Sequence, residues 1–258
     1  MSHNAGQHVI YRHEGGIARL TLNRPERHNA LVPELLDDLM QALTQCRHDR
    51  PSALVLDAAG KSFSTGGDVA AFYDMPRDRR HDYASRVVGT LNEVILALLT
   101  LPVPTVTAVH GMVTGGSLGL VLASDIVVAG PRASFAPWYT VVGFSPDGGW
   151  TALMPERIGR ARALDVQLTN RTLSQQDALD WGLAQYRAPA GEELARSFSI
   201  ASDLSNRRAG SVARTLKLNR PDADQVAADL EKERQQFLEQ IVTDEADRGM
   251  AAFLGRTA

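Results

Sequence analysis

An α/β fold with parallel strand pairing is what this chain of 258 residues predicts, on three observations. The middle of the sequence alternates short β-branched apolar runs with segments of helical periodicity, the pattern of strands joined by crossover helices. Two of those runs, Ala53-Leu54-Val55-Leu56 and Val106-Thr107-Ala108-Val109, each lead into a glycine-bearing turn and then a helix-like segment. After Gly148-Gly149 helical spacing takes over. Residues 1–200 are therefore expected to form the α/β core. Residues 201–258 are expected as a helical C-terminal region that packs on the core or on a neighbouring subunit.

His8 to Tyr11 and Ile17 to Leu22 are expected as short strands around the turn Glu14-Gly15-Gly16. Asn23-Arg24-Pro25 stops regular structure, because proline cannot donate to a ladder. Pro33 suits a first helical turn, and Leu35, Leu36, Leu39, Met40 and Leu43 then mark a buried helical face. Beyond the strand at 53–56, Val69 to Tyr73 reads as a helical turn. The polar stretch from Met75 to Asp82 reads as a mobile surface loop. Val87, Val88, Leu91, Val94, Ile95, Leu98 and Leu99 give a long amphipathic helix over 83–101, closed by Leu101-Pro102-Val103-Pro104. The strand at 106–109 and a small-residue helix ending near Ala123 follow, then a strand from Asp125 to Ala129. Six helices are expected in the last third: 161–168, 174–181 with Gly182 as its stop, 192–204, 212–218, 223–242 and 245–254. Ser174 followed by Asp177 is a capping arrangement. In the helix after Asp222, Val226, Leu230, Phe237 and Ile241 form the apolar stripe, and Glu231 to Arg234 are expected on the charged face.

Composition narrows the function classes. With 44% hydrophobic and 22% charged residues the chain can bury a sizeable core, and a net charge of −3 offers nothing to nucleic acid or an anionic membrane. The single cysteine, Cys46, rules out an internal disulfide and a cysteine-based zinc site; mid-helix, it reads as a small buried hydrophobe in a reducing compartment. The first eight residues lack the apolar core of a signal peptide, and no uncharged span approaches membrane-crossing length, so a cytoplasmic location is expected.

Two stretches carry the candidate chemistry: Ser62-Phe63-Ser64-Thr65-Gly66-Gly67-Asp68 and His110-Gly111-Met112-Val113-Thr114-Gly115-Gly116-Ser117-Leu118-Gly119. Strand, glycine turn and helix together present bare backbone N–H groups to a negatively charged atom. Two such turns facing each other would supply paired donors for one oxygen, an oxyanion hole. Gly115-Gly116-Ser117-Leu118-Gly119 also matches the nucleophile elbow of serine hydrolases, but all seven histidines precede Ser117, so none follows to activate it in that order. The glycine spacing fits neither a dinucleotide fingerprint nor a phosphate-binding loop, and no histidine pair has metal-ligand spacing. A third stretch, Trp138 to Trp150, sets Asp147 among Val141, Val142, Phe144 and Trp150, directly before Gly148-Gly149. An ordinary turn or cap aspartate is one reading. Beside an oxyanion hole, apolar surroundings would instead raise its pKa from about 3.9 toward that of a general base.

At this point the chain resembles the crotonase family, the enoyl-CoA hydratase/isomerase superfamily. The resemblance rests on Leu22-Asn23-Arg24-Pro25 with Asn29-Ala30-Leu31, the Phe63-to-Asp68 and Gly111-to-Ser117 loops, Ala123-Ser124-Asp125, and Leu173 to Gly182, in family order over nearly the whole chain. It implies a spiral of β-β-α turns, a homotrimer or homohexamer, and an acyl-CoA thioester substrate, with coenzyme A part of the substrate and no separate cofactor or metal. It also implies that the amides of Gly67 and Gly116 hold the thioester oxygen. The family's two hydration glutamates fall at Gly119 and Tyr139, so both are missing, while Asp147 stands where its double-bond isomerases carry a single acidic base. Pro146-Asp147 with Gly149 is similar to isomerases of unsaturated acyl-CoA, including ring-type phenylacetate intermediates. The same position resembles the nucleophile of aryl-CoA dehalogenases and an aspartate of naphthoyl-CoA synthases, whose longer signature is only partly present.

The expectation is thus an enoyl-CoA isomerase of fatty acid metabolism using Asp147 as acid/base. The alternatives are a hydratase or other crotonase-type lyase or hydrolase, or a catalytically weak CoA-binding member. Resemblance places Arg24 and the segment from Arg27 through Ala30 to Leu31 beside the adenosine. It sends Phe237 and Arg256 to a neighbour's nucleotide, and offers Arg77, Arg79 and Arg80 to phosphates. Thr65, Gly66, Asp68 and Gly115 belong to the substrate loops, and Ser64, Phe72, Tyr73, Trp138, Tyr139 and Phe144 to the acyl pocket.

Overall fold

The hairpin at the start of the chain sets the direction of the main sheet. In a computed structural model that describes residues 8–256, β1 (Val9–Glu14) and β2 (Ile17–Leu22) pair antiparallel around Gly15 and Gly16, both at positive φ. The signal-peptide reading falls almost wholly on residues 1–7, outside the described residues. α1 (Pro33–Asp49) opens on Pro33 and buries Leu35, Leu36, Leu39, Leu43 and Cys46. β3 (Ala53–Ala58) pairs parallel with β2 and is buried at every position. Its side chains divide by the strand's two-residue period: Leu54 and Leu56 join the main core, Ala53 and Val55 a second one.

α2 (Val69–Asp74) and α3 (Arg77–Leu99) lead to β4 (Thr105–Val109), parallel to β3. From here the chain alternates between two sheets. β4 lies in the large sheet and β5 (Met112–Thr114) in a small one, followed by α4 (Leu118–Leu122). The next turn repeats the step, with β6 (Ile126–Ala129) large, β7 (Ser134–Ala136) small, then α5 (Tyr139–Val142). After α6 (Met154–Ile158) and α7 (Arg160–Thr169), β8 (Leu173–Ser174) extends the small sheet, α8 (Gln175–Asp180) intervenes, and β9 (Tyr186–Arg187) closes the large one. The large sheet therefore runs β1-β2-β3-β4-β6-β9 and the small sheet β5-β7-β8, the spiral of β-β-α turns that the family resemblance implies.

α9 (Glu193–Ser205) covers the second core through Ile200 and Ala201. α10 (Ala209–Asn219) buries no residue, α11 (Ala223–Ile241) lies along α3, and α12 (Asp244–Phe253) meets α2 and α5. Ser174 caps α8 in a complete capping box with Asp177. Among the described residues no helix is long and apolar enough to cross a membrane.

Residues 75–82 differ from expectation: they are not a loop but the C-cap of α2 at Met75, the N-cap of α3 at Pro76 and the first turns of α3. Their charges look solvated in the sequence because their partners lie far down the chain. Arg77 Nη2 donates to the Val242 carbonyl at 2.7 Å, Arg77 also pairs with Asp244, and buried Arg80 pairs with Asp247. Strands of two or three residues (β5, β7, β8, β9) and the short helices α5 and α6 escape sequence reading because none of them spans two full periods of its pattern.

Asn29 ties the start of the chain to the first glycine loop. Wholly buried and at φ 53, it donates from Nδ2 to the carbonyls of Ala59, Ser62 and Phe63, and its Oδ1 accepts from the Arg24 amide at 2.8 Å. Replacing it by alanine strands these groups in the interior and forces alanine into the left-handed region. Asn29→Ala is expected to lower stability by about 3 kcal/mol, read as a lower urea midpoint at unchanged slope.

Candidate active site

The two glycine loops are in contact. Ser64 donates its amide to the Met112 carbonyl at 3.1 Å, and its own carbonyl accepts from the Thr114 amide at 3.1 Å and from Ser117 Oγ at 3.0 Å. A Cβ on Gly66, which sits at φ +74, would lie 2.6 Å from the Thr114 carbonyl oxygen and 3.3 Å from Gly115 Cα. Neither a side chain nor an ordinary φ fits there. Ser64 and Ser117 thus clamp the loops from inside: both are fully buried, and their hydroxyls donate to main-chain carbonyls rather than toward the cavity. Trp150, also fully buried, donates its indole N–H to the Gly115 carbonyl at 2.8 Å.

This clamping leaves two amides over. Leu31 donates to the Gly66 carbonyl and accepts from the Asp68 amide, so in that parallel bridge the N–H of Gly67 points away from Leu31. Gly116 lies in the first turn of a short 3-10 helix, Gly115–Ser117, where amides have no partner within the helix. Neither amide donates to another group among the described residues. Both glycines line a cavity of about 300 Å³, walled by Leu31, Val87, Leu91, Val142, Phe144 and Phe237 among others. Two N–H groups on one apolar cavity can together hold a carbonyl oxygen and stabilise negative charge that develops on it.

Asp147 lies directly against that pair. A Cβ built on Gly116 would meet its two carboxylate oxygens at 2.8 and 2.9 Å, and one on Gly148 would meet the Gly116 carbonyl oxygen at 2.3 Å. The carboxylate is 7% exposed, and burial pushes its pKa up to about 7. A hydrogen bond from Tyr139 opposes that shift, while the charge of Glu233 reinforces it. Tyr139 Oη donates to Asp147 Oδ1 at 2.6 Å. Burial and the adjacent carboxylate hold the phenol well above its ordinary pKa, so the proton stays on tyrosine. Asp147 is the sole acidic side chain among the described residues lining the cavity, and no histidine lines it.

The remaining expected site residues fall into two groups. Thr65, Gly66, Gly67, Phe72, Gly115, Trp138, Tyr139 and Phe144 line the cavity. Arg27, Ala30 and Asp68 line an adjoining cleft of about 230 Å³ that shares Thr65, Gly67, Val69 and Phe253 with it. Asp68 is a structural hub, capping α2 and pairing with both Arg24 and Arg27, which hold its carboxyl below the usual range.

Resemblance sends Phe237 to a neighbour's nucleotide; within its own chain it lies in the wall of the cavity, edge-on to Phe144 at 5.3 Å. Arg256 pairs with Asp74 across the Tyr73 ring, and Arg77 and Arg80 pair with Asp244 and Asp247 of α12. Where resemblance puts one hydration glutamate, a Cβ on Gly119 would strike Ile95 Cδ1 at 2.4 Å and the Gly148 carbonyl at 2.6 Å. The other place is filled by Tyr139.

Glu233 corrects the helix reading. Rather than facing solvent it is 4% exposed, and its carboxylate accepts from the amides of Gly149, Thr151 and Ala152 and from Thr151 Oγ1. The signal was present, because position 233 stands three after Leu230 and four before Phe237, on the apolar stripe itself.

Comparison with known proteins agrees with this architecture. A family model described as enoyl-CoA hydratase/isomerase matches residues 12–258. A 4-chlorobenzoyl coenzyme A dehalogenase of Arthrobacter sp is 32% identical over 217 residues, covering 84% of this chain and 74% of that protein. A 1,2-epoxyphenylacetyl-CoA isomerase of Escherichia coli (strain K12) is 35% identical over 176 residues, covering 68% of this chain and 67% of that one. The crystal structure of an enoyl-CoA hydratase from Bacillus halodurans superposes with a TM-score of 0.89 at 25% identity, covering 95% of this chain and 99% of that one.

Keeping an acid in this surrounding costs stability, with a definite sign. Unfolded, Asp147 ionises near 3.8; folded, near 7, so between those values the folded chain binds the extra proton. Stability is therefore lost as pH rises from about 4 to about 7, and the deficit persists above that. Asp147→Asn, which can still accept from Tyr139, is expected to be more stable than wild type by on the order of 3 kcal/mol at pH 8 and no more stable near pH 4. Thermal melts at the two pH values check this.

Proposed function

The chain belongs to the enoyl-CoA hydratase/isomerase family, and we propose that within it this protein shifts the double bond of an enoyl-CoA, with Asp147 as its single acid/base. One observation carries the reading: a lone carboxylate, with a pKa raised to about 7, sits against Gly116 in an apolar cavity that Gly67 also lines. The thioester oxygen accepts from the amides of Gly67 and Gly116, which draws charge from the acyl chain and acidifies its α-protons. Each such donor contributes roughly 3 kcal/mol to an enolate-like intermediate. Ionised Asp147 removes a proton from one carbon, the dienolate rests on the two amides, and the carboxyl returns the proton to the carbon two positions away. One carboxylate suffices for that shuttle. Hydration requires a water held and activated between groups, and the place of one such group is closed by Ile95 and Gly148.

The dehalogenase relative supports a second reading, in which Asp147 attacks a halogenated ring of an aryl-CoA, expels halide and forms an aryl ester. Hydrolysis of that ester needs a further base to activate water. Among the described residues the cavity offers neither a histidine nor a second acid, so isomerisation ranks first. On the same reading the coenzyme A arm enters by the cleft at Arg27 and Ala30. The chain assembles as a homotrimer or homohexamer through its helical C-terminal third, where α10 buries nothing and Leu218 is 84% exposed.

Assays with a 3-enoyl-CoA, crotonyl-CoA and 4-chlorobenzoyl-CoA separate isomerase, hydratase and dehalogenase. The first is expected to turn over fastest, with kcat/KM rising as pH increases through about 7 as Asp147 ionises. Asp147→Asn is expected to lower kcat at least roughly a hundredfold with KM little changed. Activity within a few-fold of wild type would remove Asp147 from the reaction.

A further inference from the structure

The turn that carries the base is held at its first residue by Tyr139 Oη, which donates to the Asp147 carbonyl at 2.9 Å, and beyond it largely by one side chain from another helix. Gly148 and Gly149 both sit at positive φ, 62° and 88°, in the most permissive residue type. The amides of Gly149, Thr151 and Ala152 have no main-chain acceptor among the described residues; their partner is Glu233, reaching from α11 at 2.7 to 2.8 Å. Thr151 Oγ1 adds a fourth donor at 2.7 Å. α11 is itself anchored at this level, with Asn92 Nδ2 donating to the Leu230 carbonyl and Phe237 wedged against Phe72 and Phe144.

We propose that Glu233 is a positioning residue for Asp147: by gathering these three amides it fixes the turn that sets the Asp147 carboxylate over Gly116. The proposal rests on the isomerase reading only for what Asp147 does, not for how it is held. Two consequences distinguish it from a merely structural contact. Geometry comes first, since a loosened turn moves the carboxylate off the oxyanion site and reduces turnover more than binding. Charge comes second, because Tyr139 and Glu233 are the titratable groups acting on Asp147 among the described residues. Removing the negative one of the two, and admitting water to a loosened turn, both favour ionised Asp147.

Glu233→Gln keeps the shape but turns an NH2 group toward N–H donors. With a 3-enoyl-CoA, kcat is expected to fall roughly a hundredfold, as for a misplaced catalytic group, with KM little changed. Independently of turnover, 13C NMR titration of the Asp147 carboxyl, assigned with Asp147→Asn, is expected to show its midpoint about one pH unit lower than in wild type. If the wild type isomerises no 3-enoyl-CoA, the functional reading fails while this midpoint still decides the role of Glu233. A midpoint that does not move overturns the proposal whether or not the melting temperature falls. Should Glu233→Gln not fold, Thr151→Val at an exposed position removes one donor, and a smaller downward shift is the expected result; no shift there overturns the proposal equally.

Discussion

Two main-chain segments approach at Gly116 and Gly148 to a distance that no side chain on Gly148 would permit, and the site depends on that approach. It sets the carboxylate of Asp147 against Gly116, which lines the cavity. Each partner is then fixed from behind: Gly116 by a loop stitched to Ser64, Ser117 and Trp150, and Asp147 by a turn stitched to Glu233. Close contact of this kind uses backbone as the functional group. A backbone donor carries no rotamer entropy and needs no reorganisation as charge develops.

Around that contact the fold removes water and keeps only a few polar groups. Val87, Leu91, Val142 and the Phe72–Phe144–Phe237 cluster wall the cavity, and these same residues make ionised Asp147 costly. Tyr139 partly offsets the cost with a hydrogen bond to Oδ1, which also selects the oxygen left available. Folding stability is thus exchanged for a carboxyl whose pKa stands near neutrality, far from its solution value and held there by its surroundings.

The α/β class, the long helices and both glycine loops were legible because each produces a period or a punctuation mark in the sequence. Asp147 was legible as an acid among apolar neighbours. What stayed hidden depends on partners distant along the chain. Arg77 and Arg80 look like a solvated run until α12, more than 160 residues away, supplies Asp244 and Asp247. Glu233 has the spacing of a buried residue and the chemistry of a surface one, and only the three amides facing it settle the conflict. Phe237 sits on the expected stripe, but α11 folds back along its own α3, so the ring serves its own chain's cavity.

The enclosure of Gly119 bears on how such a chain can change its chemistry. A carboxylate side chain introduced there meets an isoleucine methyl and a carbonyl of the turn following Asp147. Shortening Ile95 relieves the first clash and leaves the second, which belongs to main chain and cannot be trimmed. Acquiring a water-activating acid on this scaffold therefore takes coordinated replacements that also re-route the segment bearing the existing base.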